Sequence, residues 1–441
     1  MSNIKFFMLA VLCAASFMNA YSQDTLTLEK AIEIGLENNY TIIIAKNTQK
    51  IAENNNTLGN AGFLPTLDLY YNHTGNLVNT YVEYQPPTAP REVNGLKPRS
   101  TSANALVNWT IFDGFNMFIT KNKLQELERA GQTKARMDIE LTVANIISTY
   151  YSIVQQQKMM GVIEEAITLS LQRLKLAQSM KSIGTGSEQA IYQAMVDANA
   201  DSTRLLQQAA LIRNAKADLN RLLARDITTP FEVRPEIPIN YTLDFNELNQ
   251  KLESQNAMLL TSRANTNIAK YEIDSYRSQY LPVIGVFGGY NYTKSQNPVS
   301  PARLNQSNGL TYGVTASMNL FNGTVTSTYV QNAKVQYESS KLTYEDTRLT
   351  LQNELYKYYN NYVTSIQLVN IQVGNVEVAR KDLDIAVGRY KLGNINDIDL
   401  RITQQKLTDA ENNLLSAQFT AKTAEIELQR LSGQLLKDLT F

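Results

Sequence analysis

The chain has 441 residues, and its 41 Lys+Arg balance 41 Asp+Glu, giving a formal net charge of zero. No basic excess argues for nucleic acid or for steering towards anionic lipid. Hydrophobic residues make up 43%, and the mean hydropathy of −0.28 excludes a bundle of apolar transmembrane helices.

The N-terminus reads as a secretory signal peptide over residues 1–22: Lys5, an apolar run from Phe6 to Met18, then small residues at Ala20 and Ser22. The run is too short to span a bilayer comfortably. It contains Cys13, the only cysteine, and Leu12 stands where a bacterial lipoprotein signal wants a small residue, so no lipid anchor is expected. The mature chain then lacks cysteine, and is exported without disulfides or thiolate chemistry.

The first strand signal follows Leu64-Pro65, with Leu67, Leu69 and Tyr71 at alternate positions. Pro86, Pro87, Pro90 and Pro98 mark a loop, and Ala103, Ala105, Val107, Trp109 and Ile111 resume the alternation, giving a strand pair over residues 65–112. At Phe112-Asp113-Gly114 the period changes from strand-like to helix-like. From Phe115 to about Met180 no strong breaker occurs, predicting a helix roughly 100 Å long. Ile183-Gly184-Thr185-Gly186-Ser187 is a tight turn, and a returning helix completes a helical hairpin over residues 115–225. Ile191, Met195, Ala198, Ser202, Leu205, Ala209, Ile212, Lys216, Leu219 and Leu223 step by three and four along it, which is coiled-coil spacing with polar lapses at Ser202 and Lys216.

Pro230, Pro235 and Pro238 mark a linker over residues 230–242, and the pattern then recurs. Leu281-Pro282 opens a strand with Ile284, Val286, Tyr290 and Tyr292 on one side; Leu310, Tyr312, Val314, Ala316, Met318 and Leu320 alternate with Thr311, Gly313, Thr315, Ser317 and Asn319. This second strand pair covers residues 282–321 and closes on a second joint, Phe321-Asn322-Gly323. A proline-free helical hairpin over residues 324–435 turns at Leu392-Gly393-Asn394-Ile395-Asn396 and carries the seam Leu407, Ala410, Leu414, Ala417, Ala421, Ala424, Leu428, Leu431 and Leu435. Phe112 and Phe321, Gly184 and Gly393, and Arg221 and Arg430 share one offset of 209 residues. That reads as a tandem repeat, residues 24–229 and 243–436.

Strands of about eleven residues, apolar on one face and small and polar on the other, match the tilted strands of an outer-membrane barrel. Four strands cannot close a membrane barrel, so several chains would have to share one. The fold class expected is a mixed α and β membrane protein: long coiled-coil helices beside strands that contribute to a shared transmembrane β-barrel.

The doubled arrangement resembles the TolC family of outer-membrane channel proteins. The features that carry it are "LTLEKAIEIGLENN" at 26–39, the "LP" pairs at 64–65 and 281–282, the two joints, and "RYKLGNINDIDLRITQQKLTDAENNLLSAQ" at 389–418. The resemblance implies a homotrimer in which a twelve-stranded β-barrel in outer-membrane lipid continues as a periplasmic α-barrel of twelve helices. It implies the exit duct of a tripartite efflux pump or type I secretion system, with a periplasmic membrane-fusion adaptor and an inner-membrane transporter (RND, ABC or similar) as partners. The tips at Gly184, Thr185, Gly186, Leu392, Gly393 and Asn394 would meet the adaptor. Asp399 falls where the family often places a carboxylate ring at the periplasmic entrance; otherwise Asp397 and Asp399 are solvated first-turn acids favoured by the helix dipole. Tyr390 matches a family latch tyrosine. Ile395, Ala190 and Ile402 replace its charged partners, so closure through apolar contacts of Ile395 and Ile402 is expected in place of that polar latch.

No enzyme is expected. His73 is the only histidine, no cysteine survives processing, and no phosphate-binding loop or metal-ligand cluster is present in the sequence, so no cofactor and no nucleic-acid partner are implied. The competing reading is an exported coiled-coil scaffold or adhesin that forms no channel.

Overall fold

The computed structural model describes residues 25–297 and 302–437. The signal peptide at 1–22, Cys13, the repeat start at 24, and Pro298 and Pro301 lie outside the described residues. The described chain divides into two compact units: one contains residues to Asn47, Thr133–Leu260 and the chain from Thr347; the other contains Thr48–Gln132 and Thr261–Asp346.

In chain order the elements are β1 (Thr25–Leu26), α1 (Leu28–Asn38), α2 (Tyr40–Asn55), β2 (Thr66–Gly75), β3 (Val78–Val82), β4 (Arg91–Leu96), β5 (Arg99–Asp113), α3 (Asn116–Ser182) and α4 (Glu188–Leu222). They continue with β6 (Glu232–Val233), α5 (Phe245–Gln255), α6 (Ala257–Ser278), β7 (Val283–Gln296), β8 (Leu304–Ser317), α7 (Val325–Lys391) and α8 (Asp397–Leu431). The helices α3 and α7 have 67 residues each, and α4 and α8 have 35 each. The 209-residue offset therefore holds at both ends of both helix pairs.

The first unit is helical apart from β1, which pairs in parallel with β6. Ile32, Val143, Ile146, Ile153, Val154, Leu219 and Leu223 are fully buried in its main apolar core. The Tyr150 hydroxyl donates to the Leu26 carbonyl at 3.0 Å and accepts from the Arg234 N–H at 3.2 Å, which ties β1 and the segment after β6 to α3. Two buried asparagines repeat one arrangement. Asn39 Oδ1 accepts from the Thr41 N–H at 2.8 Å while its Nδ2 donates to the Leu222 carbonyl at 2.7 Å. Asn256 Oδ1 accepts from the Leu259 N–H at 3.0 Å while its Nδ2 donates to the Leu431 carbonyl at 2.9 Å. Each side chain satisfies the start of one helix and the end of another.

The α4 seam differs from its sequence reading. Ala194, Ala198, Asp201, Gln208, Ile212 and Leu219 are buried, whereas Met195 and Ser202 are exposed. Polar partners put Asp201 and Gln208 inside: Gln208 Nε2 donates to the Gln156 carbonyl at 2.8 Å and to its side-chain oxygen at 2.7 Å. A seam traced through apolar residues alone drifts away from such positions. Along α8 the expected Leu407, Ala410, Ala417, Ala421, Ala424, Leu428 and Leu431 are buried, whereas the expected Leu414 is half-buried and its neighbour Leu415 is buried.

The second unit contains a four-stranded antiparallel sheet in the order β2-β5-β7-β8. The last strand runs from Leu304 to Ser317, so Met318 and Leu320, expected in it, follow it. A separate hairpin, β3 against β4, occupies the proline-marked loop; β1, β3, β4 and β6 are too short for alternation to reveal them.

Candidate functional site

Register decides which side chains share a face of the sheet. Leu67 pairs with Val107, Val107 with Gly288, and Gly288 with Tyr312. Leu69, Ala105, Tyr290 and Leu310 form the next row on the same face, and Tyr71, Ala103, Tyr292 and Asn308 the row after it. The opposite face is mostly small and polar, with Asn72, Ser102 and Thr293 in one row and Asn104 and Asn291 beside Tyr70 in the next; the large apolar residues Leu106 and Phe287 also lie on it. The apolar face is uncovered in the single chain, with Leu310 77%, Tyr312 85% and Val314 71% exposed. β2 and β8 are the sheet edges, over 10 and 14 residues.

At the first joint Gly114 and Phe115 both adopt positive φ, each at 70°. The second joint repeats this at Gly323 (68°) and Thr324 (69°). Two successive left-handed residues turn the strand into the helix, and glycine tolerates that conformation best. Asp113 Oδ1 accepts from the Met117 N–H at 3.1 Å. Asn322 Nδ2 donates to Thr326 Oγ1 at 2.7 Å. Phe112 packs edge-on against Phe115 with centroids 5.1 Å apart, whereas Phe321 is exposed. An aromatic cluster that alternation did not reveal surrounds the first joint: Phe63 packs on Phe118 at 5.0 Å, and Trp109 Nε1 donates to the Phe63 carbonyl at 2.9 Å.

Both helix turns are closed in one way. The Gly184 N–H donates to the Lys181 carbonyl and the Thr185 N–H to the Met180 carbonyl, both at 3.0 Å. The Gly393 N–H donates to the Tyr390 carbonyl at 3.0 Å and the Asn394 N–H to the Arg389 carbonyl at 2.9 Å. These paired bonds form a Schellman motif around a left-handed residue. Ser187 then caps α4 through the Ala190 N–H at 3.1 Å, and Asn396 caps α8 through the Asp399 N–H at 2.8 Å. Gly184, Thr185, Leu392, Gly393 and Asn394 are exposed, Gly186 and Ala190 half-buried.

Beside the turns lies a buried charge cluster that no sequence motif announced. The Arg173 side chain is fully buried; its guanidinium pairs with Asp197, and its Nε lies 3.1 Å from Asp397 Oδ1. Arg401 grips Asp201 with both ends, Nη1 to Oδ2 at 2.8 Å and Nη2 to Oδ1 at 2.9 Å. Ser170 Oγ donates to Asp201 Oδ2 at 2.6 Å. The cluster joins α3, α4, α7 and α8, because the Tyr390 hydroxyl also donates to Asp397 Oδ1 at 3.4 Å. Burial pushes the Asp397 carboxyl above its ordinary value, against the pull of Arg173. Burial acts the same way on Asp201, but the bonds from Arg401 and Ser170 outweigh it and hold its carboxyl low.

These contacts correct one expectation. Asp397 is 9% exposed, so it is a buried ion-pair partner and not a solvated first-turn acid; Asp399, two residues on, is exposed. The helices near the turns are also tied by polar groups, at positions other than Ile395, Ala190 and Ile402. Tyr390 is buried and Ile395 packs beside it, with Leu383, Leu400 and Leu407 in the same apolar cluster. Ile402 is 50% exposed within one chain.

Among the described residues, no group of His, Cys, Asp or Glu is placed to hold a metal ion. No helix among them is long and apolar enough to cross a membrane. His73 Nδ1 lies 2.8 Å from Thr101 Oγ1 across β2 and β5.

The sequence profile described as "Outer membrane efflux protein" matches residues 248–434. The outer membrane protein TolC of Vibrio cholerae is 24% identical over 187 residues, which are 42% of this chain and 43% of that protein. The chain thus matches less than half the length of that relative. The proteases secretion protein PrtF of Dickeya chrysanthemi is 19% identical over 430 residues, covering 94% of this chain and 89% of that one. Among solved structures, the outer membrane protein VceC of Vibrio cholerae superposes with a TM-score of 0.76 at 16% identity, covering 92% of this chain and 96% of that chain. At that identity the likeness is one of fold. With its two long helical hairpins, its four-stranded sheet and this profile over residues 248–434, the chain is similar to the outer-membrane efflux proteins of the TolC family and shares their fold.

Proposed function

We propose that this chain, as a homotrimer, forms the exit duct of a tripartite efflux pump or type I secretion system, and carries out no chemistry of its own. The observation that carries this reading is a sheet with one apolar face, one predominantly small and polar face and two unpaired edges. Unpaired backbone groups are not tolerated in lipid. An antiparallel order of four strands lets β8 of one copy pair antiparallel with β2 of the next. Three copies close twelve strands, with the apolar face towards lipid and the polar face towards the pore. A duplication of residues 24–229 into 243–436 accounts for the matching helix lengths, each half supplying one strand pair and one helical hairpin.

The turns at Gly184 and Gly393 are the surface offered to a periplasmic adaptor, which an inner-membrane transporter would complete. Exposed Ile183 (74%) and Leu392 (76%) support that role. The cluster of Arg173, Asp197, Asp201, Asp397 and Arg401 ties the two hairpins of one chain near the periplasmic entrance. Three exposed Asp399 side chains, one per copy, would form a carboxylate ring there.

An unboiled gel and a planar bilayer test the reading together. The expected result is a heat-modifiable trimer in the outer-membrane fraction that conducts ions in the bilayer. A soluble chain without conductance overturns it in favour of an exported scaffold or adhesin.

A further inference from the structure

The apolar face of the sheet continues beyond its tyrosines into a patch of different chemistry. Past the row of Tyr71, Ala103, Tyr292 and Asn308, the next row holds His73, Thr101, Lys294 and Gln306. The last row holds Gly75, Arg99, Gln296 and Leu304. Direct register and the two-residue period put His73, Arg99 and Lys294 on the tyrosine face. No Asp or Glu occupies this face on any of the four strands. Near the joints the same face is uncharged, with Trp109, Val286 and Val314 in one row. On the opposite face at the patch, Ser100, Ser102, Thr293 and Ser295 are uncharged as well. The cations are therefore confined to one face and one end of the sheet, although the whole chain is neutral.

Spacing gives the patch a partner. Lys294 stands two residues beyond Tyr292, about 7 Å at the rise of a strand. Aromatic side chains favour the membrane-water boundary, and the headgroup zone outside it is roughly 5–8 Å thick. Arg99 lies diagonally across the strands from Lys294, at about 7–8 Å between backbones, within reach of one phosphate for both long side chains. The strand ends bearing the patch lead into the β3–β4 hairpin and the 297–303 connection, opposite the ends that lead into helices.

We propose that Arg99 and Lys294, with His73 beside them, hold the phosphate of a lipid headgroup in the outer leaflet, fixing the depth of the sheet in the membrane. This rests on the sheet being part of a membrane barrel whose helices lie on the periplasmic side. Arginine supplies a fork matched to phosphate oxygens and lysine a point charge. The tyrosines below the patch cover the sugar or glycerol base of the same lipid.

The test reconstitutes the trimer in phosphatidylcholine vesicles with and without a phosphorylated glycolipid, and measures by native mass spectrometry the glycolipid retained after extraction. Wild type should retain glycolipid. R99Q and K294Q should each lower its apparent affinity about fivefold, and R99Q/K294Q by about thirtyfold. K270Q, which removes an exposed charge on α6, should change nothing. Heat-modifiable trimer on a gel shows that each variant has folded. Equal retention by wild type and R99Q/K294Q overturns the proposal, as does equal retention of a glycolipid stripped of phosphate. Inorganic phosphate retained without lipid as tightly as the glycolipid overturns the lipid assignment. A trimer that inserts and conducts without glycolipid preference sinks this inference alone; one that does not insert sinks the membrane reading with it.

Discussion

Arg401 on α8 holds Asp201 on α4 through two parallel bonds, 2.8 and 2.9 Å long, and so fastens the second helical hairpin to the first. The bidentate geometry gives direction as well as energy. Asp201 is 1% exposed, so its charge has no water to replace a lost partner. Breaking a buried pair from one side costs about 3–5 kcal/mol, whereas replacing both members by apolar residues is often neutral. R401A should therefore lower the thermal midpoint of the trimer's helical circular dichroism signal substantially, and D201L/R401M should recover most of the loss. A single variant as stable as wild type would show that the pair holds nothing.

Asp397 makes the same cluster sensitive to acid in an unusual sense. Its folded-state pKa lies above the ordinary 3.8, chiefly because it is buried. Its ionisation therefore costs stability near neutrality, and that cost is relieved as pH falls through the folded value. Asp201 is shifted the other way, so the stability it contributes persists above 3.8 and is lost only below it. As pH falls from neutrality towards 3.8, Asp397 takes up its proton before Asp201 does. Stability of wild type relative to D397N should rise as pH falls across that window, read as the difference in thermal midpoint between the proteins. A constant difference would contradict the raised value.

The features that break a pattern were legible in the sequence. Phe112-Asp113-Gly114 ends a two-residue period, Gly184 ends a helical one, and the 209-residue offset runs through both because elements of equal length recur. The polar core was not legible. Arg173, Asp201 and Gln208 look like ordinary helix-surface residues, since nothing local distinguishes a charge facing water from one facing a partner some two hundred positions away. Asp397 misled for a related reason: an acid in the first turn has a sufficient local explanation in the helix dipole, and only the fold brings Arg173 against it.

The two joints look alike in backbone, yet their glycines differ in surroundings. A Cβ on Gly114 would meet the Ser278 carbonyl oxygen at 2.4 Å and the Leu281 Cβ at 2.8 Å; a Cβ on Gly323 would meet nothing within 4 Å. Both positions have φ near 70°, so alanine costs about 1–2 kcal/mol of backbone strain at either one. Only at Gly114 must the backbone at the end of α6 also move. G114A should therefore reduce the yield of heat-modifiable trimer far more than G323A. Equal losses would mean that φ alone sets the requirement.

Asp397 and Asp399 also separate by experiment, because one faces a protein partner and the other solvent. Asp399 is exposed, and in the proposed trimer its three copies converge on the periplasmic entrance, where a ring of carboxylates would concentrate cations. D399N should shift the reversal potential under a potassium chloride gradient towards weaker cation preference, with little change in thermal midpoint. D397N removes a charge already offset by Arg173 within one chain, so it should alter stability and leave ion preference nearly unchanged. The result that counts against the ring is an unchanged reversal potential in D399N measured beside wild type at low salt, where screening is weakest.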